Sequence, residues 1–169
     1  MGTDLVYEQW YGMVQRAPED ERSRKILIFP LGHAKAKALG KPPPESYRKI
    51  KAAGAFAFVG KNRNGTSSCL LTDGAPCHPK VAKECRAKHF FVNHSAGEFQ
   101  RTERFRNRAL SVHTGTIDSC WMQMKTYIPK SLSSQSKQIP LRIRSWQWRF
   151  THAEHDNLFQ LCGTLVAKL

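Results

Sequence analysis

Five residues that could ligate a metal crowd into one stretch of the chain: Cys77, His78, Cys85, His89 and His94. Zinc takes four thiolate or imidazole ligands in a tetrahedron, and Cys85-x3-His89 has a usable spacing, with Cys77 and His94 as completions. There is no C-x2-C knuckle, so ordinary buried or surface Cys and His is the preferred reading, with no metal and no cofactor expected. Nucleophilic catalysis needs a thiol beside a base. Cys120 or Cys162 with His113 or His155 can be written as such a dyad, but nothing in the sequence places them together. The 13 acids are scattered, which argues against paired-carboxylate chemistry. Gly54 and Gly60 lack the following Lys-Ser/Thr of a phosphate-cradling loop. The expectation is a protein that is not an enzyme.

Binding chemistry is better represented. The 169 residues hold 27 Lys and Arg, a formal net charge of +14 and a pI near 9.9, which implies a polyanionic partner such as nucleic acid or an anionic membrane surface. Residues 1–21 contain Asp4, Glu8, Glu19, Asp20 and Glu21 against Arg16 alone, so the rest of the chain carries a surplus larger than the total. The residues expected to form the basic surface are Lys35, Lys37, Lys41, Arg48, Lys49, Lys51, Arg101, Arg104, Arg106 and Arg108. Aromatics interleave with bases at 101–108 and again at Arg142–Phe150. In nucleic-acid binders such aromatics stack on bases while Arg and Lys meet phosphates. An anionic leaflet asks only for several bases on one face, each worth ~1 kcal/mol.

The elements that must position these groups are read from periodicity. Residues 1–21 are expected to be an acidic helical segment, capped at Thr3 or Asp4 and striped by Val6, Trp10, Met13 and Val14. Residues 22–169 are expected to form one basic α+β domain. Lys25–Leu31 reads as a short strand that Pro30 ends or pushes to an edge. His33–Lys41 reads as a basic helical turn or two, and Pro42–Pro44 as a stiff loop. Glu45–Gly60 fits a helix or, through Phe56 and Phe58, a strand. Lys61–Thr66 reads as a turn and Lys88–Asn93 as a strand. Arg108–Ile128 reads as a pair of strands meeting at Gly115, with Cys120, Met122, Met124 and Ile128 on one face. Lys130–Gln138 reads as a Ser-rich loop. Ile139–Phe150 is expected to be a strand whose change of phase reads as a bulge near Ser145 or as burial of both faces. Thr151 and Glu154 read as the capping box of a last short helix.

Five cysteines without a C-x-x-C pair suit reduced thiols in a cytosolic setting. No signal-peptide pattern, no run of 18 apolar residues and no myristoylation pattern at Gly2 are found, so membrane contact is expected to be peripheral.

From the middle onward the order of small motifs resembles the matrix proteins of rhabdoviruses, in particular the vesiculovirus-like branch. The residues are Ala57-Phe58-Val59-Gly60, Leu71-x-Asp73, then Cys85-x4-Phe90-Phe91-Val92-x-His94 with Gly97. After them come Phe105-Arg106, Gly115-Thr116-Ile117, Met124-x2-Tyr127, Ser131-Leu132, Trp148-x-Phe150 and Leu165-Val166. The resemblance implies an α+β fold in which an antiparallel β-sheet packs against a few short helices in a single domain. It implies a structural protein that self-associates, condenses the viral nucleoprotein–RNA complex and lies on anionic membrane lipids beneath the envelope of the virion. Host cytoplasm, membrane surface and nucleus are the other implied locations, and host factors are further implied partners. An exposed apolar loop serves self-association in this family, and the matching segment is Ser68, Cys69, Leu70, Leu71 and Thr72. The chain departs from that branch in its acidic opening, and in Pro43-Pro44-Glu45-Ser46-Tyr47, one residue longer than a P-P-x-Y motif.

Two further readings stand beside this one. The first is a basic RNA- or DNA-binding module, or a subunit of a large ribonucleoprotein. The second is a zinc-dependent regulatory protein built on Cys85, His89 and His94.

Overall fold

The computed structural model describes residues 6–16, 25–36, 40, 42–57, 68–133 and 136–152. Lys37, Lys41, Phe58, the Lys61–Thr66 turn, Cys162, His155 and the last short helix lie outside the described residues. Strands and short helices are both present, and the fold is α+β as expected. Contacts divide the chain into two compact units, one from residues 1–11 and 29–120 and the other from 12–28 and 121–169.

Strands β1 (Val6–Val14) and β2 (Ile26–Lys35) pair with each other and supply residues to both units. The N-terminal helix expected over this segment is therefore a strand. Its buried residues, Gln9, Tyr11 and Met13, repeat with period two, and its β-branched and aromatic content with Gly12 disfavours a helix. β2 confirms the strand read at Lys25–Leu31, with Pro30 exposed where no ladder N–H is required. It continues through His33 to Lys35, where a basic helical turn was expected.

In the first unit α1 (Tyr47–Ala52) buries Ile50 completely, and residues 55–57 are helical, which settles the described part of Glu45–Gly60 in favour of helix. Next comes a β-α-β unit: β3 (Cys69–Asp73), α2 (His78–Glu84) and β4 (Lys88–Val92). β3 and β4 are parallel, with Leu71 opposite Phe90, so the sheet is not antiparallel throughout. Residues 74–87 hold a helix and supply the crossover that parallel neighbours require. Pro79 stands in the first turn of α2, where a missing N–H costs no helical bond.

β5 (Arg101–Phe105) and β6 (Arg108–Val112) form an antiparallel hairpin. Phe90, Val92 and Val112 make a core against which Cys69, Leu71, Phe105 and Leu110 pack. Phe90 and Phe105 meet edge to face at 6.0 Å.

The segment Ser68–Thr72, expected to be an exposed self-association loop, is thus mostly strand β3. Thr72 is buried, Cys69 and Leu71 face the core, and the Ser68 carbonyl accepts the Lys88 N–H at 2.9 Å. Leu70, on the alternate face, is half-buried.

Two expected strands are helices. α3 (Gly115–Tyr127) opens at Thr114, whose Oγ1 donates to the Asp118 carboxylate at 2.8 Å while its carbonyl accepts the Asp118 N–H at 3.1 Å. Cys120 and Met124, four apart, are buried, whereas Met122 between them is 71% exposed. α4 (Gln138–Thr151) buries Ile143 and Trp146, three apart, and Pro140 fits its first turn. The change of phase read as a bulge at Ser145 is the helical repeat itself. Thr151 closes α4, its Oγ1 donating to the Gln147 carbonyl at 2.9 Å.

In the second unit Gln147 Oε1 accepts the Ile28 N–H at 2.9 Å. Tyr127 ties the end of α3 to α4, its hydroxyl 3.3 Å from Ser145 Oγ and its ring 5.8 Å from the Arg149 guanidinium. Among the described residues no helix is long and apolar enough to cross a membrane.

Candidate polyanion-binding surface

The β5–β6 hairpin concentrates arginine because its register sorts side chains by face. Arg101, Glu103 and Phe105 point to the half-buried side, and Arg104 points outward. The connecting Arg106 and Asn107 both have left-handed backbone, φ 52 and 60, as a two-residue hairpin turn requires. Asn tolerates that region well and Arg less so. Arg106 lays its guanidinium 5.2 Å from the Phe105 ring. Arg104, Arg106 and Arg108 are consequently exposed at one end of the hairpin.

Arg101 does not join them. Its Nε lies 3.1 Å from Glu103 Oε1, near enough for charge pairing although the N–H is not aimed as a hydrogen bond, and Nη1 is 3.6 Å from Glu98 Oε1. The same guanidinium lies 5.2 Å from the Phe91 ring. Two carboxylates cancel its charge, which makes it a structural residue.

The other expected bases divide similarly. Lys35 and Arg48 are exposed. Lys49 Nζ donates to the His33 carbonyl at 2.7 Å and to Gln9 Oε1 at 3.4 Å, fastening α1 to β1 and β2. Lys51 pairs with Glu84 at 3.2 Å, and the Tyr47 hydroxyl donates to the same carboxylate oxygen. These hydrogen bonds hold Glu84 below and Lys51 above their ordinary values.

Five carboxylates of the described body have internal partners, while Glu45 is exposed. Glu98 accepts the Asn93 N–H at 3.0 Å besides facing Arg101, Glu103 faces Arg101, Glu84 binds Lys51, and Asp118 binds Thr114. Asp73 pairs with His78, Oδ1 to Nδ1 at 3.0 Å, and also accepts the Ala75 N–H at 3.1 Å. Each ion pair uses a base as well as an acid, so the positive surplus comes from the excess of 27 Lys and Arg over 13 Asp and Glu.

Several of the Cys and His residues weighed for metal have partners within the fold. Burial alone would push His78 down, but hydrogen bonds to the Asp73 carboxylate and to Cys77, with their charges, outweigh it and push it up to about 10. The His78 bond in turn holds Asp73 below the usual carboxylate range. The result is an ion pair across the turn from β3 to α2.

Burial, with Glu84 adding to it, raises the Cys85 thiol to about 11, so it stays protonated at neutral pH. Tyr11, whose ring lies 6.2 Å from His78, is likewise raised, first by burial. His89 on β4 sits 2.8 Å from Thr72 Oγ1 and is lowered, chiefly by burial. His94 lies 3.3 Å from Thr114 Oγ1 and stacks on Phe99. Among the described residues no group of three or more His, Cys, Asp or Glu is arranged to hold a metal ion.

The chain matches no family model, no curated protein and no solved structure.

Sequence reasoning missed one basic element. α4 exposes Arg144 and Arg149, and neither was assigned to the binding surface because the segment was read as a core strand. A signal was present: no acid occurs between Asp118 and Glu154, while Lys125, Lys130, Lys137, Arg142, Arg144 and Arg149 all do.

Proposed function

We propose that the protein is a non-enzymatic, matrix-type structural protein that self-associates, condenses a viral nucleoprotein–RNA complex and lies peripherally on the anionic inner face of an envelope during assembly and budding. The observation that carries the proposal is the charge asymmetry. Bases outnumber acids 27 to 13, Glu84, Glu98 and Glu103 are paired within the fold, and Arg104, Arg106 and Arg108 stand exposed on one short hairpin. The assembly part of the proposal is supported by the motif order shared with rhabdovirus matrix proteins. Ser68–Thr72 does not add support, because it is mostly strand β3 with Cys69 and Leu71 packed on the core.

Sedimentation velocity across a salt series, with and without phosphatidylserine vesicles, tests the proposal. Polymers that grow as salt falls and float with vesicles are expected. A salt-indifferent monomer that ignores lipid would overturn it.

A nucleic-acid-binding module is the second reading, and a specific observation favours it. Phe99 is 66% exposed and packs on His94 at 5.3 Å, and Phe91 is 41% exposed beside His89. Exposed rings of this kind stack on unpaired bases. Steeply salt-dependent RNA affinity from a strict monomer would select this reading.

A further inference from the structure

α4 has two distinct faces. Ile143 and Trp146 fill the inner one, where Gln147 also receives the Ile28 N–H. On the far side Leu141, Ser145, Trp148 and His152 follow one another at helical spacing. At 100° per residue Leu141 and Trp148 project within about 20° of each other, with Arg144 about 60° to one side and Arg149 about 80° to the other. Leu141 is 65% exposed, and half-buried Trp148 stacks on His152 at 4.8 Å. Both arginines are exposed. Tyr127 stands beside Ser145 and Arg149 on that flank.

An apolar ridge containing Trp, bordered by guanidinium groups on both margins and with no acid in α4 itself, matches the chemistry of a bilayer surface. The ridge enters at headgroup depth while the arginines keep their charge at the phosphates. Nucleic acid would use the arginines but gain little from Leu141. We infer that the outer face of α4 is the contact site for anionic phospholipid, with Leu141 and Trp148 inserted and Arg144 and Arg149 on headgroup phosphates. The helix lies on the membrane and does not span it. This inference rests on the proposal above, since it names the part of the molecule that meets the envelope.

The test is flotation of the full chain with phosphatidylcholine–phosphatidylserine vesicles and with pure phosphatidylcholine vesicles, alongside retention of single-stranded RNA. The wild type is expected to float only with the anionic vesicles. Leu141→Ser with Trp148→Ser lowers that partition about tenfold and leaves RNA retention unchanged. Leu141→Glu, at a position exposed enough to spare the fold, gives the same loss and guards against misfolding of the double variant.

If the wild type fails to float, the membrane part of the proposed function falls and the inference with it. If the wild type floats and the ridge variants float equally well, the inference is overturned and the proposed function stands. Loss of RNA retention with unchanged flotation assigns the face to nucleic acid and also overturns it.

Discussion

Replacing Asp73 by Asn keeps the oxygen that receives the Ala75 N–H and removes the charge that faces His78. In the native protein His78 is raised from its ordinary 6.5 to about 10, so its contribution to stability is complete below pH 6.5 and is lost as pH climbs toward 10. Each unit of such a shift corresponds to about 1.4 kcal/mol. The His78 side chain is only 11% exposed, but that of Asp73 is 49% exposed, and solvent screens the pair. The loss across this window is therefore about 1–3 kcal/mol, well short of full conversion of the shift.

In Asp73→Asn the charge partner is gone, and burial, the largest single influence on His78, acts to depress it. The imidazole then enters the fold neutral, and stability between pH 6 and 9 should be flat or rise. Urea unfolding at several pH values reads the slope directly, and the His78 ring signal in an NMR titration reads the group itself. Equal slopes in the two proteins, or a native His78 that titrates near 6.5, would refute the ion-pair account.

Four further outcomes are expected. Leu71→Ser should destabilise the protein by about 1–3 kcal/mol in urea unfolding, because its side chain packs on the Phe90, Val92 and Val112 core and is not a replaceable loop residue. Arg104→Glu with Arg108→Glu should weaken polyanion binding and flatten its salt dependence while changing thermal stability by no more than about 0.5 kcal/mol. Arg101→Gln, by contrast, should leave that affinity within about twofold, since two carboxylates already cancel the charge. Gln147→Leu should cost about 1–3 kcal/mol by orphaning the Ile28 N–H, measured by thermal melting.

Strands were legible where a short run carries its own apolar or charged pattern. β2, β4 and the dense charge of β5 and β6 follow from short alternating runs, and the α+β class follows from their mixture with helical stretches. Reading failed where two periods coincide over a short window. Cys120, Met122 and Met124 alternate, yet the buried pair is also spaced four apart, and nothing in the sequence says that Met122 faces outward. In α4 the Ile and Trp residues carry strand propensity, and tertiary packing of Ile143 and Trp146 overrides it. β1 erred in the opposite direction, its apolar residues fitting a helical stripe while partner β2 drew out Gln9, Tyr11 and Met13.

The candidate surface was half legible. Composition reveals an excess of base, but which bases are neutralised depends on carboxylates from other elements, as with Lys51 and Glu84, or on a same-face neighbour along a strand not assigned from the sequence, as with Arg101 and Glu103. Periodicity carries no information about partners on other elements.

The hairpin also sets an order of events. Closing β5 on β6 requires only the Arg106–Asn107 turn, and hairpins of this size form in about 1–10 μs. β3 cannot join β4 until residues 74–87 have looped back and α2 has found its place, a costlier and slower closure. The arginine ribbon therefore assembles ahead of the parallel pair that it later packs against. Substitutions that disturb its turn should slow refolding, whereas truncation of Val81 in α2 should act mainly by hastening unfolding.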